Sequence, residues 1–283
     1  MKRLKRYLGA LLGVLCSAFA VQALALPFSL GGYQGPIQIK YNNWEVLNIP
    51  SSCISGGILT NCTIASPNTT GGGDNYGIVK VSSIMDGSGV TTLWSDGNGG
   101  AEITGVFSDI GIQNIHVLSG SDFGIDSIGG VFSLYLNPLG SLATAGLSTA
   151  NFNAAKDQYT GITGGSSFLS GIFAPGILGV SDPTITVSGT TSTNSLPPRG
   201  SSSGYLSVTG GAYMGMFDTN GYPNGSDMLL ANNFTPLGAT GGFNLTSYDP
   251  IIATVPEPGT VALLGIALVL LGAGQLRRRR TAI

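Results

Sequence analysis

Short runs with the hydrophobic and polar pattern of β-strands, separated by glycine-rich turns, recur along the chain. In Ile37–Tyr41 every second residue is apolar, which is the two-residue period of a strand with one buried face. About nine segments have this strand character. They are residues 37–41, 76–84, 91–94, 102–107, 112–118, 130–136, 184–187, 205–209 and 243–248. The pattern predicts an all-β fold, an antiparallel β-sandwich or barrel.

The abundance of turn-forming residues supports this prediction. The chain has 45 glycines and 14 prolines, about a fifth of all residues, whereas about 12% is usual. Turn signals therefore lie too close together for many helices to fit between them. The run Gly130–Leu136 is apolar at nearly every position, so we expect this strand to lie at the centre of the sheet.

Two segments depart from the strand pattern. The segment Thr149–Tyr159 predicts one short helix, because Phe152, Ala155 and Tyr159 would share one face of it. Thr149 or Asn151 could cap its start. Residues 190–204 are rich in serine, threonine, proline and glycine and contain almost nothing to bury. They predict a long surface loop or a boundary within the domain.

The N-terminal segment has the pattern of a secretory signal. Residues 1–7 carry four basic side chains, residues 8–20 are apolar, and Ala23 and Ala25 form an Ala-x-Ala cleavage site, with 18–20 as the second choice. We expect residues 1–25 to be removed on export. The domain proper then spans residues 26–254, enough for a sizeable core.

The C-terminal segment, residues 255–283, predicts a membrane anchor. Residues 259–276 form an uncharged, largely apolar run, which as a helix would reach roughly 27 Å, close to the thickness of a bilayer core. A cluster of strongly hydrated cations follows and predicts a stop-transfer signal on the cytoplasmic side: Arg277, Arg278, Arg279 and Arg280. The prolines before the run predict an extended, accessible segment. That segment is Val255, Pro256, Glu257 and Pro258.

This order of motif, single span and arginine cluster resembles the PEP-CTERM sorting signal of Gram-negative bacteria, which is also catalogued as the C-terminal domain of an ice-binding protein. The resemblance covers roughly the last tenth of the chain. It implies recognition by the membrane enzyme exosortase at Pro256, Glu257 and Pro258. It also implies an inner-membrane-anchored intermediate and delivery to the cell surface or the extracellular matrix.

Charge separates the segments. Of the 12 basic residues, only Lys40, Lys80, Lys156 and Arg199 lie between the signal and the arginine cluster, whereas all 14 acidic residues lie between the signal and the apolar run. The exported part therefore has a net charge of about −10. Such a surface cannot neutralise phosphates, so we expect no nucleic-acid partner. It is compatible with divalent cations and with neutral polysaccharide.

The cysteines indicate a disulfide. Cys53 and Cys62 remain after removal of the signal, in a compartment that oxidises thiols, so a short-loop bridge is the economical prediction. Zinc binding by this pair is a poorer hypothesis, because zinc requires about four ligands and His116 is the sole histidine.

No convincing catalytic set is visible. Gly200–Gly204 fits the Gly-x-Ser-x-Gly pattern but lies in the low-complexity segment, and His116 lies in a strand-like run where a structural role is expected. Carboxylate pairs suited to glycoside hydrolysis remain open because two pairs could meet in space. These are Asp122 with Asp126, and Glu102 with Asp109.

Two glycine-rich turns resemble fragments of calcium loops, although Asp-Gly and Asn-Gly are also common hairpin turns. Their candidate ligands are Asp96, Asn98, Asp218 and Asn220. We expect no other cofactor. A cluster of aromatic residues could stack on sugar rings or form the core of two hairpins. It comprises Tyr205, Tyr213, Phe217 and Tyr222.

The sequence thus predicts an exported, acidic, all-β protein that is not an enzyme and has a structural or adhesive role in exopolysaccharide, biofilm or flocs. One alternative is an exported hydrolase that acts on polysaccharide through two carboxylates. Another is a carbohydrate- or ice-binding module, for which a flat threonine array would be needed. The sequence shows no such ladder of threonines beyond the Thr184-Ile185-Thr186 segment.

Overall fold

The computed structural model describes residues 28–65, 67, 74–248 and 250–256. Fourteen strands and two short α-helices account for most of this part of the chain. The strands are β1 Gly35–Asn48, β2 Ile54–Ser55, β3 Ile58–Leu59, β4 Cys62–Thr63, β5 Asp74–Asp86, β6 Thr92–Ser95, β7 Ala101–Ser119, β8 Asp122–Pro138, β9 Ser166–Ala174, β10 Val187–Thr191, β11 Gly200–Gly210, β12 Met228–Thr240, β13 Phe243–Tyr248 and β14 Ile251–Val255. The helices are α1 Ser141–Ala145 and α2 Met214–Phe217.

The long strands form one antiparallel sheet that closes on itself. β1 pairs with β5, β5 with β7, β7 with β8, β9 with β11 and β11 with β12. β8 is joined to β11 through β9 along one part of its length and through β10 along another. β13 and β14 likewise both connect β12 to β1. The predicted all-β antiparallel fold is confirmed, and the closed pairing corresponds to the barrel alternative.

Alternate side chains point into the closed sheet and form its core. One end of the interior is mainly apolar and is covered by aromatic rings. There the ring of Phe28 lies 4.8 Å from that of Phe168 and 4.9 Å from that of Tyr213. Close packing requires glycine at Gly171, because a Cβ atom there would overlap the backbone oxygen of Ser207.

A second apolar cluster covers the outside of β1, β5 and β7. The connection between β8 and β9 lies across this face and contributes Leu142, Phe152, Tyr159 and Ile162. Glu102 anchors the connection: its carboxylate accepts hydrogen bonds from the Leu142 amide (2.6 Å) and the Gly140 amide (3.0 Å). Both faces of the sheet are therefore covered here, the inner face by the core and the outer face by this connection. This explains why β7 is buried at almost every position.

Several predicted elements are corrected. Residues 102–107 and 112–118 belong to the single strand β7, and the predicted strand at 184–187 is a turn followed by β10. The predicted helix at Thr149–Tyr159 is wrong: only residues 149–151 form a 3-10 turn, which Ser148 caps. Phe152 and Tyr159 are instead partners in a β-bridge.

The predicted loop at 190–204 is also wrong at both of its ends. β10 continues to Thr191 and β11 begins at Gly200, so the connection comprises residues 192–199 only. The strand that contains Gly130–Leu136 is paired on both sides, as expected for a central strand, but its outer face is partly open, since Val131 is exposed.

Among the residues described, no helix is both long and apolar enough to cross a membrane. The predicted signal with Ala23 and Ala25 lies outside the described residues. So do Glu257, Pro258, the apolar run 259–276 and the arginines 277–280.

Candidate functional site

The interior of the closed sheet contains a cavity of about 130 Å³. Its lining comes from nearly every long strand and divides into two halves. Most of the lining is apolar, with side chains such as Val79, Leu134, Leu169 and Leu206. The remaining part is polar and lies where β1, β5, β11, β12 and β13 run side by side.

A continuous chain of hydrogen bonds crosses the polar half. The Ser202 hydroxyl donates to Oδ1 of Asn232, and Nδ2 of Asn232 donates to Oγ of Ser247 over 3.1 Å. Ser247 in turn hydrogen-bonds to the carboxyl group of Glu45, which also accepts from Nδ2 of Asn75 at 3.1 Å. The chain therefore links β11, β12, β13, β1 and β5 through side chains inside the sheet.

Glu45 is the chemically distinctive member of this chain. Its side chain is only 5% exposed. Burial raises the pKa of the Glu45 carboxyl from its ordinary value of 4.5 to about 7, and the hydrogen bonds from Asn75 and Ser247 offset only part of this effect. Both partners are neutral, so they stabilise the charged form less than a cation would. The group consequently changes its charge near neutral pH.

The Oδ1 atom of Asn75 is buried and makes no hydrogen bond. An unpaired buried carbonyl oxygen costs free energy, so it indicates an acceptor available to a bound molecule. It lies on the same side chain whose amide donates to Glu45. The polar half of the cavity therefore offers acceptors from two adjacent residues.

A second concave surface lies on the outside of the sheet, across β10, β11 and β12. Strand pairing aligns Thr190, Ser201 and Asn233 in one row and places Ser188, Ser203 and Ala231 in the next. Together with the neighbouring segment Ile177–Val180 they line an open groove of about 550 Å³. Its floor is neutral and rich in hydroxyl groups, and Leu178 on its flank is 69% exposed.

The C-terminal strand joins the predicted sorting motif directly. β14 pairs with β1 from Gly35↔Val255 to Ile39↔Ile251 and with β12 over three further residues. Val255 is buried against the apolar end of the interior, and the next residue, Pro256, is exposed. The motif therefore begins where the last strand of the closed sheet ends.

The predicted disulfide between Cys53 and Cys62 is confirmed, with 5.3 Å between the Cα atoms. Cys53 is buried with Leu59 and Ile115 in an apolar cluster next to the polar half of the cavity. The hairpin inside the disulfide loop also contacts the β10–β11 connection, because the Leu59 amide donates to the carbonyl oxygen of Asn194 (3.1 Å).

The predicted carboxylate pairs do not meet. Asp122 and Asp126 are four residues apart on β8, roughly 13 Å along an extended strand. Glu102 and Asp109 are seven residues apart on β7, roughly 20 Å, and Glu102 is fully buried whereas Asp109 is exposed. Neither pair matches the separations used in glycoside hydrolysis.

The other candidates for chemistry have structural partners. Nδ1 of His116 lies 3.6 Å from Asp126, which also accepts from the Ser188 hydroxyl at 2.7 Å. The Gly200–Gly204 pattern lies within β11 and pairs with both neighbouring strands, so it is not a strand-turn-helix elbow.

The candidate calcium residues occupy two separate turns. Asp96 binds Lys80 at 2.8 Å, and Asn98 accepts from the Ser95 hydroxyl. Asp218 accepts from Nδ2 of Asn220 (3.3 Å). Within the part of the chain that is described, no group of three or more His, Cys, Asp or Glu residues is arranged to hold a metal ion.

The aromatic cluster mostly serves the core. Tyr205, Tyr213 and Phe217 are buried, and only Tyr222 is partly exposed. The threonine array fails for a similar reason, since Thr186 is buried and donates to the Gly129 carbonyl oxygen at 2.7 Å.

The sequence analysis missed the polar interior. Asn43 and Glu45 continue the odd-numbered phase of Ile37, Ile39 and Tyr41, so they occupy the buried face of β1. Polar residues in the phase of a buried face are the signal that could have found them.

Comparisons with known proteins identify the end of the chain. Residues 254–280 match the family model described as the PEP-CTERM protein-sorting motif. The predicted resemblance is therefore confirmed over those residues, and the motif indicates an exported protein that is sorted by exosortase as a membrane-associated intermediate. No curated protein and no solved structure matches the chain significantly.

Proposed function

We propose that this exosortase-sorted protein is a structural or adhesive component of the cell surface or extracellular matrix, and that it contacts neutral exopolysaccharide through the outer groove of β10, β11 and β12. The observation that carries the proposal is the position of the sorting motif. The closed sheet is complete at Val255, and the motif begins at the exposed Pro256. Cleavage after this point would leave the folded domain intact for transfer.

The chemistry of the groove supports a polysaccharide partner. Its floor carries hydroxyl and amide groups from Thr190, Ser201, Ser203 and Asn233, at strand spacings of about 4.8 Å. Sugar hydroxyls both donate and accept hydrogen bonds, so neutral side chains of this kind suit them. The exposed side chain of Leu178 offers an apolar flank for the carbon-bound hydrogens of a sugar ring.

The location of the groove supports the same role. Met228 of β12 pairs with Ala253, close to the end of β14, whereas the groove begins at Ala231 and continues away from that end. The groove centre is therefore roughly 20 Å along the strand from the level of Val255. A domain still attached through its C-terminal tail would keep this surface away from the membrane.

The first experiment tests sorting. The mass of the mature protein recovered from the cell surface should correspond to a C-terminus near Pro258, and this form should be lost when exosortase is deleted. An intact tail through Ile283 in both strains would contradict transfer to the matrix.

The second experiment tests the groove. Ser201→Trp places a large side chain on the groove floor, whereas Thr209→Trp makes the same change at an exposed position of β11 outside the groove lining. We expect the first variant to lose most cosedimentation with neutral exopolysaccharide and the second to retain it. Equal retention by the two folded variants would reject the groove as the contact surface while leaving sorting untouched.

A further inference from the structure

The size and lining of the internal cavity suit a small ligand. A volume of about 130 Å³ is close to that of an apolar protein cavity of about 150 Å³ that binds benzene. The apolar half has Leu134, Leu169, Leu206 and Leu230 among its walls. A hydrocarbon body of about six to eight heavy atoms would bury its surface there favourably.

The polar half selects for a hydrogen-bond donor. Asn75 Oδ1 has no hydrogen bond, and the Glu45 carboxyl accepts only from neutral groups among the contacts described above. Two neighbouring side chains already donate within the chain, since Ser202 donates to Asn232 and Asn232 to Ser247. A ligand that brings its own N–H or O–H groups would satisfy the open acceptor of Asn75.

Electrostatics favour a cation over a neutral donor. Glu45 is the one acidic residue in the cavity lining, and the lining contains no lysine, arginine or histidine. Tyr41 is the other residue of the lining with an ionisable side chain. Asp74, on the neighbouring β5, does not line the cavity and accepts a hydrogen bond from Asn48 on β1. An ammonium group would supply the missing counter-charge, whereas a carboxylate would be repelled.

We propose that this cavity binds a small primary amine with an apolar body, with its ammonium group at Glu45 and Asn75 and its hydrocarbon part among the leucine side chains. Ser202 and Asn232 line both the cavity and the outer groove, but the amine would contact Glu45 and Asn75, which line the cavity and not the groove. It adds a small-molecule site to a domain whose sorting motif indicates only its destination.

Calorimetric titration of the full chain in detergent tests the proposal with benzylamine, benzyl alcohol and benzoate at pH 8. We expect benzylamine to bind, benzyl alcohol to bind about tenfold more weakly, and benzoate not to bind. Because Glu45 is protonated at pH 6 in the free protein, benzylamine binding there should release a proton and weaken by about tenfold.

Two variants make the test specific. Glu45→Gln keeps the shape and a hydrogen-bonding group, so the protein should fold but lose benzylamine affinity by at least about tenfold. Val187→Phe should fill part of the cavity and reduce binding of both benzylamine and benzyl alcohol. Asp218→Asn, an exposed carboxylate, is the matched control and should bind like the wild type.

The outcomes that overturn the proposal are specific. Absence of benzylamine binding by the folded wild type at millimolar concentration would reject the site. Unchanged affinity in Glu45→Gln would show that the carboxyl does not recognise the amine. Unchanged affinity in Val187→Phe would place the amine outside the cavity.

Discussion

Asn75 donates its Nδ2 hydrogen to Oε2 of Glu45 over 3.1 Å, and this contact joins β5 to β1 inside the closed sheet. It places a carboxyl group in the interior without a neighbouring cation in the cavity wall. A buried carboxyl of this kind lowers stability once it is charged, because burial disfavours the ionised form. The polar chain therefore combines a structural link with a group that responds to pH.

Glu45→Gln should remove a pH dependence of stability. The folded-state pKa of about 7 exceeds the ordinary 4.5, so the native state binds more protons between these values and the free energy of unfolding falls as pH rises through them. The full loss above pH 7 is about 3 kcal/mol. Urea unfolding at pH 5 and pH 8 should show most of this difference in the wild type and not in Glu45→Gln.

The control for this prediction is Asp218→Asn, which changes an exposed carboxylate and should retain the wild-type difference between the two pH values. If Glu45→Gln and the wild type lost equal stability between pH 5 and pH 8, the ionisation of Glu45 would not be the cause.

The double variant Cys53→Ala/Cys62→Ala should be less stable by about 2–3 kcal/mol, because the disulfide restricts a short loop in the unfolded chain. Urea unfolding measures the change. Wild-type protein treated with a reducing agent is the matched control and should show the same loss. A double variant as stable as the oxidised wild type would contradict a stabilising role.

Glu102→Gln should lower the free energy of unfolding by about 2–3 kcal/mol. Its carboxylate accepts from the Leu142 and Gly140 amides and from Nζ of Lys80 at 3.3 Å, and an amide side chain has only one oxygen for these donors. Hydrogen exchange at residues 140–142 should accelerate in the same variant.

Asp96→Asn is the control, since Asp96 binds the same lysine at 2.8 Å but is partly solvent-exposed. We expect it to cost less than about 1 kcal/mol. Equal losses in both variants would mean that the contact with Lys80, rather than those with the Gly140 and Leu142 amides, accounts for the effect of Glu102.

Asp227→Asn should destabilise the protein by about 2 kcal/mol. Asp227 is buried and accepts from three backbone amides: Val208 at 2.7 Å, Thr219 at 2.6 Å and Asn220 at 2.8 Å. In asparagine an NH₂ group replaces one carboxylate oxygen, so a donor would face either the Val208 amide or the amides of Thr219 and Asn220. Thermal unfolding should show a large shift for Asp227→Asn and a small one for the exposed Asp218→Asn, and similar shifts would contradict this assignment.

Sequence patterns predicted strands best where one face is apolar throughout. The start of β1 was found from this alternation, and β5, β13 and the second half of β11 were found as apolar or β-branched runs between turn signals. The segment 190–204 was missed because β10 and the first half of β11 cross the polar half of the interior. Their inward positions are occupied by residues such as Gly189, Thr191 and Ser202, so no hydrophobic alternation marks them.

The predicted helix at Thr149–Tyr159 failed for a different reason. The apolar spacing of Phe152 and Tyr159 is real, and both side chains are buried. They face the same cluster because the chain turns back between them to form a β-bridge on the outer face of the sheet. Helical spacing and a tight hairpin can bury the same two residues, so the pattern alone could not distinguish them.

The sequence by itself determined the β class, the disulfide and the sorting motif, because each depends on the order and spacing of nearby residues. Only the tertiary structure decided the closure of the sheet, the cavity and the partners of Glu45. Asn75 and Ser247 are up to 202 positions from Glu45 in the chain and contact it only because β1, β5 and β13 are neighbours in the closed sheet, and Asn232 of β12 is linked to Glu45 through Ser247. Local patterns specify strands, whereas long-range pairing specifies which polar groups share the interior.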